Sequence, residues 1–136
     1  MNRYVKSSDG VRIKFGNWAS SQPDNGDGME HCANIPASDG LWFDDPCNET
    51  KNYICEDKND SLDFWNPCQD GWDLINGKCF RLIDQTLKAK GAIDICKALG
   101  GDLFEPTNEQ IETAVLDFYD NPVSWIGIND EVAEGR

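Results

Sequence analysis

The stretch Cys68-Gln69-Asp70-Gly71-Trp72-Asp73-Leu74-Ile75-Asn76-Gly77-Lys78-Cys79-Phe80 contains two extended pieces joined at Asn76-Gly77. Both positions of Asn-Gly tolerate positive φ, so the dipeptide is suited to a tight hairpin turn. Downstream, from Leu87 to Leu99, the apolar residues Ala89, Ala92, Ile93, Cys96 and Leu99 recur at three- and four-residue spacing before Gly100-Gly101. That period predicts an amphipathic helix with the glycine pair as its stop. Thr107, with Gln110 three residues on, predicts a capping box opening a second helix. Its apolar face would be Ile111, Ala114, Val115 and Phe118, and Asn121-Pro122 would end it. Trp125-Ile126-Gly127-Ile128 then reads as a buried strand.

Upstream of Cys68 the pattern changes. Candidate strands at Val11 to Phe15 and Asn52 to Glu56 flank a middle rich in Gly, Asn, Asp and Ser, and no helical period fits there. Residues 57 to 67 start polar and finish aromatic before Pro67, which reads as a connector. The sum is an α+β fold in a single domain spanning residues 1–136, a length suited to one core. Within it, residues 1–56 and 68–136 form two dissimilar halves.

Composition narrows the function. The chain has 25 Asp and Glu against 12 Lys and Arg, a formal net charge of −13. Such a surface repels phosphate backbones, so nucleic acid is not an expected partner. No apolar run reaches even signal-peptide length, so no membrane insertion is expected, and the chain reads as mature or as carrying an added start methionine. Six cysteines, none in a CxxC pair, and a single histidine, His31, point to three disulfides in an oxidising compartment, hence to a secreted, extracellular protein. Asn48-Glu49-Thr50 and Asn59-Asp60-Ser61 match the glycosylation acceptor pattern. No Ser/His/Asp or Cys/His constellation with a free thiol is present, and no carboxylate pair stands out among so many, so an enzyme is not expected.

Cys68-x-x-Gly71-Trp72, Cys79-Phe80, a helix carrying Cys96, Gly100-Gly101-Asp102-Leu103, Glu109 and Trp125-Ile126-Gly127-Ile128-Asn129-Asp130-Glu131-Val132-Ala133-Glu134-Gly135 together resemble the first half of a C-type-lectin-like domain. Phe15-Gly16-Asn17-Trp18, Gln22-Pro23-Asp24, Glu30-His31-Cys32, Leu41-Trp42-Phe43-Asp44 and Tyr53-Ile54-Cys55-Glu56 resemble its second half. The resemblance covers nearly every residue outside the connector. It implies two helices flanking short antiparallel sheets, a long calcium-binding loop, and halves in circularly permuted order. A permuted domain, a segment straddling two tandem domains, and halves that complete each other between molecules all fit that order. The first is the expected arrangement, since one chain then supplies each half once. Among fifteen possible pairings of six cysteines, the family pattern implies Cys68–Cys79, Cys32–Cys47 and Cys55–Cys96.

The resemblance also implies a calcium-dependent sugar site. An ion held by amide and carboxylate side chains keeps positions open for two sugar hydroxyls, which the same side chains hydrogen-bond. Gln22, Asp24, Glu30 and Asp44 match that ligand set, and the Gln-Pro-Asp order implies glycans with terminal galactose or N-acetylgalactosamine. Where the family usually has an asparagine, this chain has Phe43, which cannot coordinate. Asp45 lies on the same side of an extended segment and is the candidate replacement. A second calcium position would draw on Asn25, Glu30, Asp130 and Glu134. Trp18, Trp42, Trp72 and Trp125 fall at packing positions. The competing expectation is a module that binds a protein or an ice surface without calcium, and a homodimer or half-exchanged dimer is a further expected partnership.

Overall fold

The computed structural model describes residues 4–6, 10–11, 13–20, 30–36, 40–57, 68–120 and 123–129. Among them run β1 (Val5–Lys6), β2 (Glu30–Ile35), β3 (Phe43–Pro46), β4 (Lys51–Asp57), β5 (Asp73–Ile75), β6 (Lys78–Leu87), α1 (Ala89–Ala98), β7 (Gly101–Leu103), α2 (Glu109–Phe118) and β8 (Ser124–Asn129). Asn76 and Gly77 take φ of 52° and 84°, and the antiparallel hairpin of β5 and β6 forms around them, with Ile75 opposite Lys78.

One sheet, in the order β3-β2-β8-β4-β6-β5, draws on both halves of the sequence, with β1 also on β8 and β7 also on β4. Among the named strands the pairing departs from the expected antiparallel arrangement at one place, since β4 and β8 run parallel. After the turn following β3, β4 does not pair back. It crosses to the far side of β8 and there runs in the same direction.

The sheet divides two apolar clusters. Trp42, Ile54, Phe80, Phe104, Val115 and Ile126 lie in one; Tyr53, Cys55, Trp72, Cys96, Leu103 and Trp125 lie in the other. Alternation along β4 explains the split, because Tyr53 and Cys55 point one way and Ile54 the other. The expected disulfides Cys32–Cys47, Cys55–Cys96 and Cys68–Cys79 are all present. Cys55–Cys96 ties β4 to α1, and so one half of the sequence to the other. Gly127 allows β8 to approach the end of β7: its N–H donates to Phe104 O at 2.6 Å, and a Cβ there would meet Leu103 O at 2.5 Å.

Three local expectations are corrected. Val11 and residues 13–15 form no strand; Lys6 N donates to Val11 O and Ile13 N to Tyr4 O, but Val11 is 50% exposed and the pairing is not sustained. The cap of α2 is Asn108 rather than Thr107, with its side chain accepting from Ile111 N at 2.9 Å. This places Ile111 at the position where a capping box needs Glu or Gln, so no box forms. The buried face of α2 is Ile111, Glu112, Val115 and Leu116, and Phe118 is 54% exposed. The face is turned because a hydrogen-bonded carboxylate, Glu112, occupies an inward position that hydrophobic periodicity assigns to apolar residues.

Candidate sugar and calcium site

Trp42 precedes β3 and points inward, fully buried. Its N–H donates to Asn17 O at 2.8 Å and its carbonyl accepts from Ala19 N at 2.9 Å, so residues 17–19 lie alongside. Trp18 and Phe15 stand edge-on to the indole, at centroid distances of 5.4 and 5.6 Å. The indole Nε1 donates to Glu112 Oε1 at 2.7 Å. Asn17 Nδ2 donates to Glu112 Oε2 at 3.0 Å and to Gly40 O at 2.9 Å. Burial pushes the Glu112 carboxyl above the usual range, while these two donors pull it down.

From Trp42 the side chains alternate. Asp44 follows Trp42 inward, 2% exposed, and its Oδ2 accepts a long bond from Tyr4 OH at 3.4 Å. Phe43 and Asp45 lie on the opposite face, each half-buried. Asp45 Oδ2 accepts from Asn34 Nδ2 at 2.6 Å and pairs with Lys51 Nζ at 3.3 Å. The same ammonium lies 3.2 Å from Glu49 Oε1 and 5.1 Å from the centroid of the Trp125 ring. Asn34 also donates to Phe43 O at 3.1 Å, whereas its Oδ1 is buried without a partner.

The structure brings Asp44 and Asp45 to β3, and pairs that strand with β2 so that the backbone of Glu30 faces Pro46 and that of Cys32 faces Asp45. Gln22, Asp24, Asn25, Asp130 and Glu134 lie outside the described residues, as does the Glu30 side chain. Among the described residues no three His, Cys, Asp or Glu groups converge to hold a metal. Sequence reasoning missed Tyr4, Asn17 and Glu112, whose bonds are long-range, and Asn34 and Lys51, whose partners Phe43, Asp45 and Glu49 stand nearer in the chain but at no spacing that marks a contact. For Glu112 a faint signal exists: it stands three and four residues before Val115 and Leu116.

Two features lie apart from this region. Glu56, at the end of β4, accepts from Glu105 N at 2.8 Å, yet burial, with lesser repulsion from Glu105 and Asp102, pushes its carboxyl up to about 7. A cavity of about 230 Å³ lies between Lys6, Ile13, Phe15, Glu105 and Ile128 and includes none of the expected ligands.

The lectin C-type domain family matches residues 1–57, the segment that holds β1 to β4. The chain is C-type-lectin-like. In an alignment of 142 positions that covers 90% of its length, this lectin-like chain is 30% identical to C-type mannose receptor 2 of Mus musculus, of which it spans 9%. Over 136 residues it is 27% identical to lymphocyte antigen 75 of Homo sapiens, spanning 8% of that protein. A shorter match, 46% over 54 residues, joins 36% of the chain to 18% of asialoglycoprotein receptor 2 of Rattus norvegicus. No solved structure gives a significant match. Among the described residues no helix is long and apolar enough to cross a membrane.

Proposed function

We propose that this C-type-lectin-like chain is an extracellular module that binds glycans with terminal galactose or N-acetylgalactosamine through calcium. The observation that carries this is the placement of Gln22-Pro23-Asp24 in the segment matched by the lectin family, upstream of Glu30 and of the Trp42-anchored strand that carries the buried Asp44. Gln22, Asp24, Glu30 and Asp44 would hold the ion, with Asn25, Asp130 and Glu134 serving a second position beside Glu30. The donor set fits a hard cation, since every member offers oxygen. Calcium, once bound, supplies the coordination positions that two sugar hydroxyls complete. The chain's own task is to orient those hydroxyls, with the Gln22 amide donating and the Asp24 carboxylate accepting.

Asp45 fits the ion less simply, because Lys51 already provides it with a positive charge at 3.3 Å. As a fifth ligand it would have to exchange that ammonium for calcium. Phe43, on the same face, would supply the apolar surface against which a sugar ring stacks.

The test is retention on immobilised galactose against immobilised mannose, with calcium and with a chelator. Retention on galactose alone, lost on chelation and moved to mannose by Gln22→Glu with Asp24→Asn, is the expected result. Passage through both columns would instead leave the non-sugar binding module standing, a reading that Phe43 favours.

The two halves are proposed to close into one domain joined by residues 57–67. The pairing of β4 with β6, β7 and β8 and the Cys55–Cys96 bond support this. A second reading, in which the order of halves marks a boundary between consecutive domains, is favoured by one match that takes in 90% of the chain in this order and 9% of a longer receptor.

A further inference from the structure

We propose that Asn48 is a glycosylation site, carrying an oligosaccharide on its side-chain amide in the turn between β3 and β4. The triplet Asn48-Glu49-Thr50 has the required hydroxyl and no proline in the middle. Its placement adds what the pattern alone lacks. On one side Cys47 is pinned, bonded through sulfur to Cys32 and through its carbonyl to Ala89 N at 3.2 Å. On the other, Lys51 is held by Asp45 and Glu49. Between these anchors Asn48, Glu49 and Thr50 are all exposed and belong to no strand or helix. The acceptor amide and the hydroxyl that completes the triplet therefore reach the surface together, in a segment that a transferase can draw out at the cost of the turn bond from Glu49 N to Pro46 O and the exposed contact of Glu49 with Lys51.

The chemistry needs a sugar donor of the lipid-diphosphate class, met in the oxidising compartment where disulfides form. Asn48 Nδ2 forms a bond to the anomeric carbon. The bond from that carbon to the diphosphate oxygen breaks, the lipid diphosphate leaves with the electron pair, and an amide proton passes to base. The attachment point lies just beyond β3, which among the described residues pairs in the sheet with β2 alone. A bulky hydrated chain there screens an open edge from pairing with other molecules.

This inference rests on the extracellular placement and not on sugar specificity, so the two fail separately. The full chain is expressed with a secretory leader in animal cells, recovered from the medium and checked for its three disulfides. An amidase that strips asparagine-linked glycans should increase its mobility and leave Asp at position 48 in the peptide mass. Asn48→Gln and Thr50→Ala should each abolish the position-48 sugar, and Asn59→Gln should keep it. Recovery of the disulfide-bonded chain with Asn48 unmodified, or with sugar at Asn59 alone, would overturn the proposal. Failure to bind galactose would leave it intact.

Discussion

The indole of Trp42 and the carboxylate of Glu112 meet at 2.7 Å with both side chains buried, joining the strand of the candidate site to helix α2. A buried carboxylate is costly unless its lone pairs are used, and here Trp42 and Asn17 use them. Glu112→Ala would strand both donors, and the expected loss is on the order of 2–5 kcal/mol. Glu112→Gln keeps an acceptor for one donor and should lose less. Urea unfolding of the two variants checks the order.

Stability should also depend on pH through Glu56. Its folded carboxyl titrates at about 7, above the ordinary carboxylate value, so between those two values the folded chain holds a proton that the unfolded chain lacks. Its contribution is therefore fully present below the ordinary value and is lost as pH rises through about 7, a change of at most about 3 kcal/mol. Glu56→Gln should flatten that part of the profile, as measured by thermal unfolding from about pH 5 to about pH 8.

Cys55 and Cys96 are separated by 41 residues and bonded. Opening a loop of that length is expected to cost about 4 kcal/mol. Cys55→Ala with Cys96→Ala should lower the unfolding free energy by that order. Peptide mapping without reduction should recover Cys55 joined to Cys96 within one chain, and Cys55 joined to another molecule would favour the domain-boundary arrangement.

Lys51 and calcium should compete for Asp45. A partly exposed pair of this kind is worth about 1 kcal/mol, so Lys51→Met is expected to tighten calcium about fivefold by calorimetry. Asp45→Ala should weaken it. Unchanged affinity in Asp45→Ala would remove Asp45 from the ligand set.

Local chemistry made much of the fold legible. Asn76-Gly77 forms its hairpin, the helix carrying Cys96 ends before Gly100, and Trp125 lies in a buried strand, because each depends on a turn propensity or a short apolar run; the burial of Trp42 was implied by the family resemblance. What was not legible depends on distant partners. Glu112 looks like a surface acid until Trp42 and Asn17 arrive from far along the chain, and their bonds turn the helix so that Phe118 faces out. Residues 11 and 13–15 have strand-like composition but only brief pairing with the β1 segment. At the candidate site the residue types Asp44 and Asp45 could be read in advance; the hold of Asn34 and Lys51 on Asp45 could not.

Strand β3 stands at the end of the sheet order. Phe43 and Asp45 lie on the face of β3 away from the Trp42 cluster; there Asp45 is tied to Asn34 and Lys51, whereas among the described residues the half-buried Phe43 ring joins neither apolar cluster. A change of side chain at position 43 can therefore alter what the strand offers a ligand while the scaffold persists.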